Sequence, residues 1–276
     1  MMPRTRSLTL FACLLGAIGA DWPQFLGPQR NAVSTETGLL QRWGEKGPPV
    51  LWQKDIGEGF SAPVIAGDRL ILFHRIGDDE VVACFDAASG KEIWKYTTPT
   101  KYEDPLGKGN GPRSTPLIAD GRVYTLSPGG LFLCLKLADG KKVWQRALLT
   151  DYEVPDSFFG VGTSPLLEGK RILVNVGAKD AGIVAFDKDT GKEVWKATGD
   201  GASYSSPVAA TIDGVRHVVF FTRQGIVSLD PTTGAIRFSK RWRSRMNASV
   251  NASTPVVVGD QVFFTACYET LSLIHI

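Results

Sequence analysis

Short apolar runs alternate with turn residues along most of the chain, and one order of features recurs five times. Each occurrence has a small residue before a proline, an apolar run, a glycine-containing turn and a second apolar run, as in SAPVIAGDRLIL from Ser61. The prolines follow one another at steps of 42 to 53 residues and are Pro63, Pro116, Pro165, Pro207 and Pro255. Because proline is tolerated at the first residue of a strand, each occurrence predicts two antiparallel strands joined by a tight turn.

A second pattern follows in the same repeats, with a polar turn between an apolar run and an aromatic residue. Its fullest form is AFDKDTGKEVW, residues 185–195, and the equivalent aromatic residues are Trp94, Trp144, Trp195 and Phe238. The aspartate or threonine side chain can bond backbone N–H groups, and the glycine supplies the positive φ of a hairpin turn. An isolated VLWQ at Trp52 predicts one further strand of this kind.

Each repeat therefore predicts four short strands, and stacked four-stranded units of about 45 residues are typical of a β-propeller. The predicted fold class is all-β, a propeller of four-stranded antiparallel blades. We assign residues 51–269 to the propeller and residues 21–50 to an N-terminal segment before it. About five of seven to eight blades are expected in this sequence, which makes the propeller incomplete.

Both ends of the sequence carry features of a different kind. Arg4 and Arg6, the apolar run from Leu8 to Ile18 and the small residues after it predict a signal peptide over residues 1–20. A short buried helix is the alternative, and the run is too short for a membrane span. We expect an exported protein, periplasmic or extracellular, without a transmembrane segment in the mature chain. Residues 271–276 resemble a translated sequencing adaptor, and we interpret them as an artefact at the end of a fragment.

Composition narrows the possible partners. The 276 residues are 43% hydrophobic, which excludes disorder as the main state. The balance of 31 basic against 28 acidic residues gives no overall signal for nucleic acid binding. Three cysteines remain after the predicted signal peptide, Cys84, Cys134 and Cys267, and we expect buried free thiols rather than disulfides. The three histidines have no metal-ligand spacing, so no metal site is predicted.

The second pattern resembles the tryptophan-docking motif of pyrroloquinoline quinone (PQQ) propeller repeats. Residues 185–195 match that motif at every defined position, whereas the other repeats each depart from it, for example at Lys136 and Phe238. The resemblance implies that large flat rings dock on the neighbouring blade. The docking residues are then Trp94, Trp144, Trp195, Asp86, Asp187, Gly90 and Gly191.

The resemblance implies two kinds of function. Quinoprotein dehydrogenases of this family hold PQQ and Ca²⁺ on the propeller axis, whereas relatives similar to the outer-membrane barrel-assembly lipoprotein are scaffolds without cofactor. The dehydrogenases use a vicinal cysteine pair that is absent from this sequence. Our first interpretation is therefore a binding or scaffold module without proven catalysis, and the alternative is a fragment of a PQQ-dependent oxidoreductase of the alcohol or sugar dehydrogenase type. A third interpretation is polysaccharide binding through aromatic loop residues, Tyr102, Tyr152 and Phe158.

The loops before the first strand of each repeat are the candidate site, because in a propeller they converge on one end of the axis. A protein or a small molecule could bind there, and an arginine could pair with a carboxylate of PQQ, with calcium a possible second ligand. The alternative is that these side chains only satisfy loop backbone and channel water. The candidate residues are Asn110, Arg113, Thr163, Tyr204, Ser205, Arg245, Asn247 and Asn251.

Overall fold

The structure is a computed structural model that describes residues 21–155, 160–246 and 249–267. The predicted signal peptide and residues 271–276 lie outside the described residues. In chain order the elements are β1 (Val64–Ala66), β2 (Arg69–Ile76), β3 (Asp79–Asp86), β4 (Glu92–Pro99), β5 (Leu117–Ala119), β6 (Arg122–Leu126), β7 (Leu131–Lys136), β8 (Lys142–Ala147), α1 (Leu148–Asp151), β9 (Leu166–Glu168), β10 (Arg171–Ala178), β11 (Ala181–Asp187), β12 (Glu193–Ala197), β13 (Val208–Ile212), β14 (Val215–Phe221), β15 (Gly225–Leu229), β16 (Ile236–Arg241), β17 (Val256–Val258) and β18 (Gln261–Phe263). None of these described elements is a helix of the length and apolarity that a membrane crossing needs.

The strands form antiparallel sheets in which neighbours in the chain are neighbours in space. We number the sheets in chain order: β1–β4, β5–β8, β9–β12 and β13–β16 are the first to fourth sheets, and β17–β18 form a two-stranded fifth sheet. Strand β1 lies beside β5, and β9 lies beside β13, so neighbouring sheets approach one another along their first strands. This arrangement confirms the predicted all-β propeller of four-stranded antiparallel blades.

Apolar side chains fill the spaces between successive sheets. The third strand of each complete sheet is almost wholly buried, as in β15, where every residue is buried. One cluster joins Tyr124 and Phe132 of the second sheet to Phe186 of the third, and similar clusters join the other neighbouring pairs. The fourth strands lie at the periphery, and most of their side chains are exposed. The core is therefore divided into layers, one between each pair of sheets.

A β-bulge recurs at the same place in the four complete sheets. In the first sheet Cys84 pairs with Trp94, but the next residue, Phe85, pairs with Glu92, so Ile93 is the extra residue. The equivalent shifts occur in the other three complete sheets, beside Trp144, Trp195 and Phe238. Bulges of this kind re-aim a neighbouring side chain. Each bulge lies next to the aromatic residue that ends the sequence repeat.

The tryptophan indoles connect each sheet to the turn of the next sheet. In three cases the indole Nε1–H donates to a backbone oxygen in the turn between the third and fourth strands. The pairs are Trp94 with Leu137 (2.8 Å), Trp144 with Lys188 (3.1 Å) and Trp195 with Pro231 (3.2 Å). The three tryptophans are at most 9% exposed. The indole ring is thus shared between one sheet and its neighbour.

The turn that receives the ring is built from the motif itself. Asp187 Oδ1 accepts hydrogen bonds from the backbone N–H of Thr190 (2.9 Å) and from its hydroxyl (2.7 Å), which hold the pKa of Asp187 below its ordinary value. Asp86 makes the same two contacts with Ser89. Gly191 has a φ of 68°, and a Cβ atom added there would lie 2.7 Å from Trp144 Cδ2. Gly191 therefore satisfies both the turn and the close approach of the ring.

The strand predicted at Trp52 is wrong. Residues 51–57 form no strand, because no described strand lies beside them to complete a hydrogen-bonded ladder. The Trp52 indole nevertheless donates to Ala87 O at 3.0 Å, and a Cβ atom on Gly90 would lie 2.6 Å from its ring. The ring-to-turn contact thus forms without the strand that usually carries the ring.

The cysteines agree with the sequence prediction in part. Cys84 and Cys134 are buried free thiols opposite Trp94 and Trp144, and burial raises the pKa of each to about 11. Cys267 is also free, but it is exposed, contrary to the expectation of burial. It follows the fifth sheet, which has two described strands and leaves this part of the chain uncovered.

The N-terminal segment runs along the inner strands of three sheets. We call residues 22–32 the N-terminal knob. Trp22 exchanges two backbone hydrogen bonds with Ile65 of β1, and Pro23 O accepts one from Ile118 of β5. Arg30 then donates to Pro165 O beside β9 at 2.9 Å. The knob thereby lies where the sheets converge.

We predict that Gly191→Ala lowers the free energy of unfolding more than Gly169→Ala. Both glycines have positive φ, so both variants carry the cost of a left-handed alanine. Nothing lies within 4 Å of a Cβ atom on Gly169, whereas Trp144 obstructs one on Gly191. The expected difference is about 1–3 kcal/mol, the usual cost of overpacking. Urea unfolding of both variants measures it, and equal losses would contradict a ring that needs glycine beneath it.

Candidate functional site

A chain of backbone-to-hydroxyl hydrogen bonds links the loops before the first strands. The N–H of Ala62 donates to Thr115 Oγ1 (3.4 Å), the N–H of Thr115 to Ser164 Oγ (3.0 Å), and the N–H of Ser164 to Ser206 Oγ (3.0 Å). Each acceptor stands directly before the repeat proline of its own sheet. The small residue before each proline therefore fastens its loop to the preceding loop.

A cavity of about 400 Å³ opens beside these hydroxyls. We call it the central cavity, because it is lined by the knob and by loops that precede the inner strands. Its lining is mainly apolar and aromatic, with an Arg–Asp pair in the wall. The lining residues are Phe25, Phe60, Asp104, Leu106, Lys108, Arg113, Gly162, Ser164, Tyr204 and Ser206.

Arg113 is fully engaged within the protein. Its guanidinium lies 3.3 Å from Asp104 Oδ1, and both side chains are at most 8% exposed. It also donates to Tyr102 Oη (3.1 Å) and to Gly109 O (3.0 Å). Because the buried charge is matched by Asp104, this wall offers a ligand no uncompensated cation.

Aromatic rings surround the Arg113 guanidinium. Its central carbon lies 5.3 Å from the ring centre of Tyr102 and 6.0 Å from those of Phe60 and Tyr204, distances at which cation–π attraction operates. Burial raises the pKa of Tyr204 to about 12, so its hydroxyl stays protonated at neutral pH. The arginine thus orients the rings that form the apolar part of the cavity.

Arg75 of the first sheet holds the loop that carries Tyr102 and Arg113, and Glu80 joins the same sheet to the loop after β6. Arg75 Nη1 donates to Tyr102 O (2.5 Å), and its Nε donates to Gly77 O (2.7 Å). Glu80 accepts from Ser127 Oγ of the second sheet (2.8 Å). Burial raises the pKa of Glu80, while the Ser127 hydrogen bond and the Arg75 charge act in the opposite direction. The Arg75 hydrogen bonds thus position the loop on the Arg113 side of the cavity.

The knob contributes Phe25 to the cavity lining and also contains a buried arginine, Arg30. Arg30 is 5% exposed, and its described hydrogen-bond acceptors are neutral: Pro165 O, Ser164 O and Gln24 Oε1. Its guanidinium lies 5.9 Å from the Phe25 ring centre. Burial lowers the pKa of Arg30 to about 9. The backbone here is also unusual, since Leu26, Arg30 and Ala32 have positive φ.

The candidate site residues predicted from the sequence do not all lie at the central cavity. Arg113 and Tyr204 line the central cavity, whereas Arg245 is exposed outside it and Asn247 lies outside the described residues. Thr163 and Ser205 are buried with hydroxyls that lack a described partner, and the cavity is lined instead by the residues that follow them, Ser164 and Ser206. Successive residues of these loops thus face different sides, and the residue directly before each proline is the one that faces the cavity.

The two asparagines hold loops together. Asn110 Oδ1 accepts from the N–H of Asp104 at 2.8 Å, which fixes the carboxylate beside Arg113. Asn251 Nδ2 donates to Thr222 O, and its backbone oxygen accepts from the N–H groups of Tyr204 and Ser205. Both side chains are thus engaged in positioning the loops around the cavity.

Several cavity residues escaped the sequence analysis. Phe25, Phe60, Asp104, Leu106 and Lys108 line the cavity but occupy no position of the repeat patterns. The sequence signal that points to Ser164 and Ser206 is the recurring small residue directly before the proline.

The polysaccharide hypothesis rested on Tyr102, Tyr152 and Phe158. The Tyr152 hydroxyl donates to Glu193 at the periphery, and Phe158 lies outside the described residues.

The donor set of the central cavity does not fit PQQ with calcium. Asp104 is the carboxylate in the lining, and it is held by Arg113 and by the backbone N–H of Lys108. Nowhere in the described ranges do three His, Cys, Asp or Glu side chains come together as a metal site would require. With Arg113 engaged, Lys108 is the remaining cation of the lining for a ligand that carries several carboxylates.

One family model matches most of the chain, and solved structures share its fold. A family model described as "Outer membrane protein assembly factor BamB" matches residues 77–276. The crystal structure of BamB from Moraxella catarrhalis has 20% sequence identity and a TM-score of 0.51, covering 72% of this chain and 52% of that chain. Quinohemoprotein alcohol dehydrogenase from Comamonas testosteroni has 14% identity and a TM-score of 0.42, covering 94% and 52%. The chain therefore spans about half the length of these solved structures. No curated protein matches it significantly.

We predict that Glu80→Gln changes how stability depends on pH. The folded-state pKa of Glu80 is raised above its ordinary value of 4.5, so its contribution to stability is present below that value and is lost as pH rises through the folded pKa. The wild-type protein should therefore lose unfolding free energy relative to Glu80→Gln between about pH 4.5 and neutrality. Urea unfolding across this range tests it, with the exposed Glu45→Gln as control. A constant difference at all pH values would contradict the prediction.

We also predict no submicromolar binding of PQQ, with or without Ca²⁺. The expected result follows from the engaged Arg113 and from the absence of the cysteine pair. Titration followed by quinone absorbance measures it. Calcium-dependent submicromolar binding that Arg113→Ala weakens would favour the oxidoreductase instead.

Proposed function

Since the chain belongs to the family of the outer membrane protein assembly factor BamB, we propose that it is an exported, non-catalytic binding module. In this proposal the central cavity receives an apolar or aromatic side chain of a partner polypeptide. The family description supports a protein partner, and the predicted signal peptide supports a periplasmic or extracellular location. Nothing in the donor set of the cavity supports the alternative of a PQQ-dependent oxidoreductase.

The observation that carries the proposal is an apolar cavity with one buried ion pair among its described lining residues. That pair, Arg113 with Asp104, is formed within the protein itself. Its volume of about 400 Å³ exceeds that of a large aromatic side chain, and Phe25, Phe60 and Tyr204 can contact such a group on several sides. Arg113 and Asp104 compensate each other, so the buried wall of the cavity favours a neutral group, while Lys108 is exposed at its rim. Burial of an aromatic side chain against such walls is the usual source of binding energy at a protein interface.

The rim of the cavity also suits a polypeptide. Phe60 is 62% exposed and Leu106 is 51% exposed, although both are large apolar side chains. An exposed apolar rim next to an apolar cavity is typical of a contact surface. Around the cavity the loops are fixed by hydrogen bonds between sheets, so little ordering would be needed on binding.

The test is a titration with two short peptides of polar sequence that differ at one central residue, tryptophan in one and serine in the other. We expect the tryptophan peptide to bind and the serine peptide to bind much more weakly, by fluorescence anisotropy. Phe60→Ala should weaken binding of the tryptophan peptide roughly tenfold, because it truncates an aromatic wall.

Leu39→Ala is the matched control, since Leu39 is 65% exposed and does not line the cavity. Its binding should equal that of the wild type. Equal affinity for both peptides, or an equal loss in both variants, would contradict the central cavity as the binding site. Oxidation of an alcohol by the protein loaded with PQQ would contradict the non-catalytic assignment.

A further inference from the structure

Basic residues concentrate on the outer strand of the fourth sheet and on the residues that follow it. Residues 223–245 contain six basic residues and one acidic residue, whereas the whole chain has 31 and 28, so the rest of the chain is slightly acidic. The small overall charge therefore hides a local cluster. We call Lys240, Arg241, Arg243 and Arg245 the basic edge.

The basic edge lacks compensating carboxylates. Arg237 pairs with Asp230, but none of the four residues of the basic edge forms an ion pair with a described residue. Lys240, Arg241 and Arg245 are exposed, and Arg243 is half-buried. Burial lowers the pKa of Arg243, and repulsion from Arg223 and Arg241 lowers it further. An anionic partner would relieve this repulsion.

The backbone of the same strand is available for pairing. Strand β16 is the last strand of its sheet and pairs with β15, and Trp242 N continues that ladder to Gln224 O. No described strand lies on its other side, so its outward N–H and C=O groups face away from the sheet. Such an edge can take up an additional strand, and the charges along it select which one.

The other outer strands differ in charge. β4 and β12 each carry one glutamate and one lysine, and Arg146 of β8 pairs with Asp151. Lysine and arginine on an edge also prevent self-association, but β4 and β12 have mixed charges, and β8 has only Lys142 beside its paired Arg146. Among the complete sheets, the fourth is the one whose outer strand and following residues carry four cations without an ion pair to a described residue.

We propose that the basic edge binds an acidic, extended segment of a partner protein, which adds as a strand beside β16. Opposite charges at facing positions stabilise cross-strand pairs, and guanidinium groups bind carboxylates in a two-pronged geometry. This site is separate from the central cavity, so it does not rest on the proposed function. Binding at either site could be present without the other.

The test uses a fluorescent twelve-residue peptide of alternating glutamate and threonine. We expect it to bind the full chain with an affinity that falls as salt increases, while the matching lysine–threonine peptide does not bind. Arg241→Glu with Arg243→Glu should weaken binding at least roughly tenfold. Arg241→Gln with Arg243→Gln should have a smaller effect, and unfolding midpoints establish that both double variants are folded.

Lys95→Glu with Lys196→Glu is the matched control, because both lysines are exposed on outer strands and the total charge changes equally. An equal loss in this variant would overturn the proposal in favour of a total-charge effect. A peptide N-methylated at alternate residues should bind much more weakly, and equal binding would overturn strand addition. Binding to phosphatidylglycerol vesicles without binding to the acidic peptide would overturn the protein partner.

Discussion

The contact between a tryptophan ring and a glycine turn is the interaction on which the stacked sheets depend. It recurs at every junction between complete sheets, with the indole N–H donating to the turn backbone and the glycine beneath the ring. A side chain at that glycine would separate the layers, and a smaller ring would leave a gap. The Trp52 contact shows that the turn recognises the ring itself, because it forms without a strand.

A second set of contacts brings the sheets together at their inner strands. The small residues before the prolines tie each loop to its neighbour, and the N-terminal knob crosses the inner strands of three sheets. These short-range constraints leave the central cavity between rigid walls. The buried charged groups of its lining pair with each other, as Arg113 and Asp104 do. The remaining wall of the cavity is therefore mainly apolar.

The positive charges of the basic edge, at the periphery, lack the described carboxylate partner that the buried Arg113 has. Inside, the cation of Arg113 is matched by a carboxylate, whereas the basic edge of the fourth sheet keeps its cations unmatched by described residues. The wall of the cavity and the edge of the fourth sheet therefore differ in charge. The two proposals accordingly assign an apolar group to the cavity and an acidic segment to the edge.

The sequence by itself determined the repeated strands and turns, because each depends on residues that are close together in the chain. The Asp187-to-Gly191 turn and the small residue before each repeat proline are examples. Tertiary structure alone decided which side chains meet at the cavity. Phe25 and Tyr204 come from distant segments, Asp104 matches Arg113 only because a loop folds back, and Ser164 faces inward in place of Thr163. Those outcomes depend on how sheets pack against one another, which no local pattern encodes.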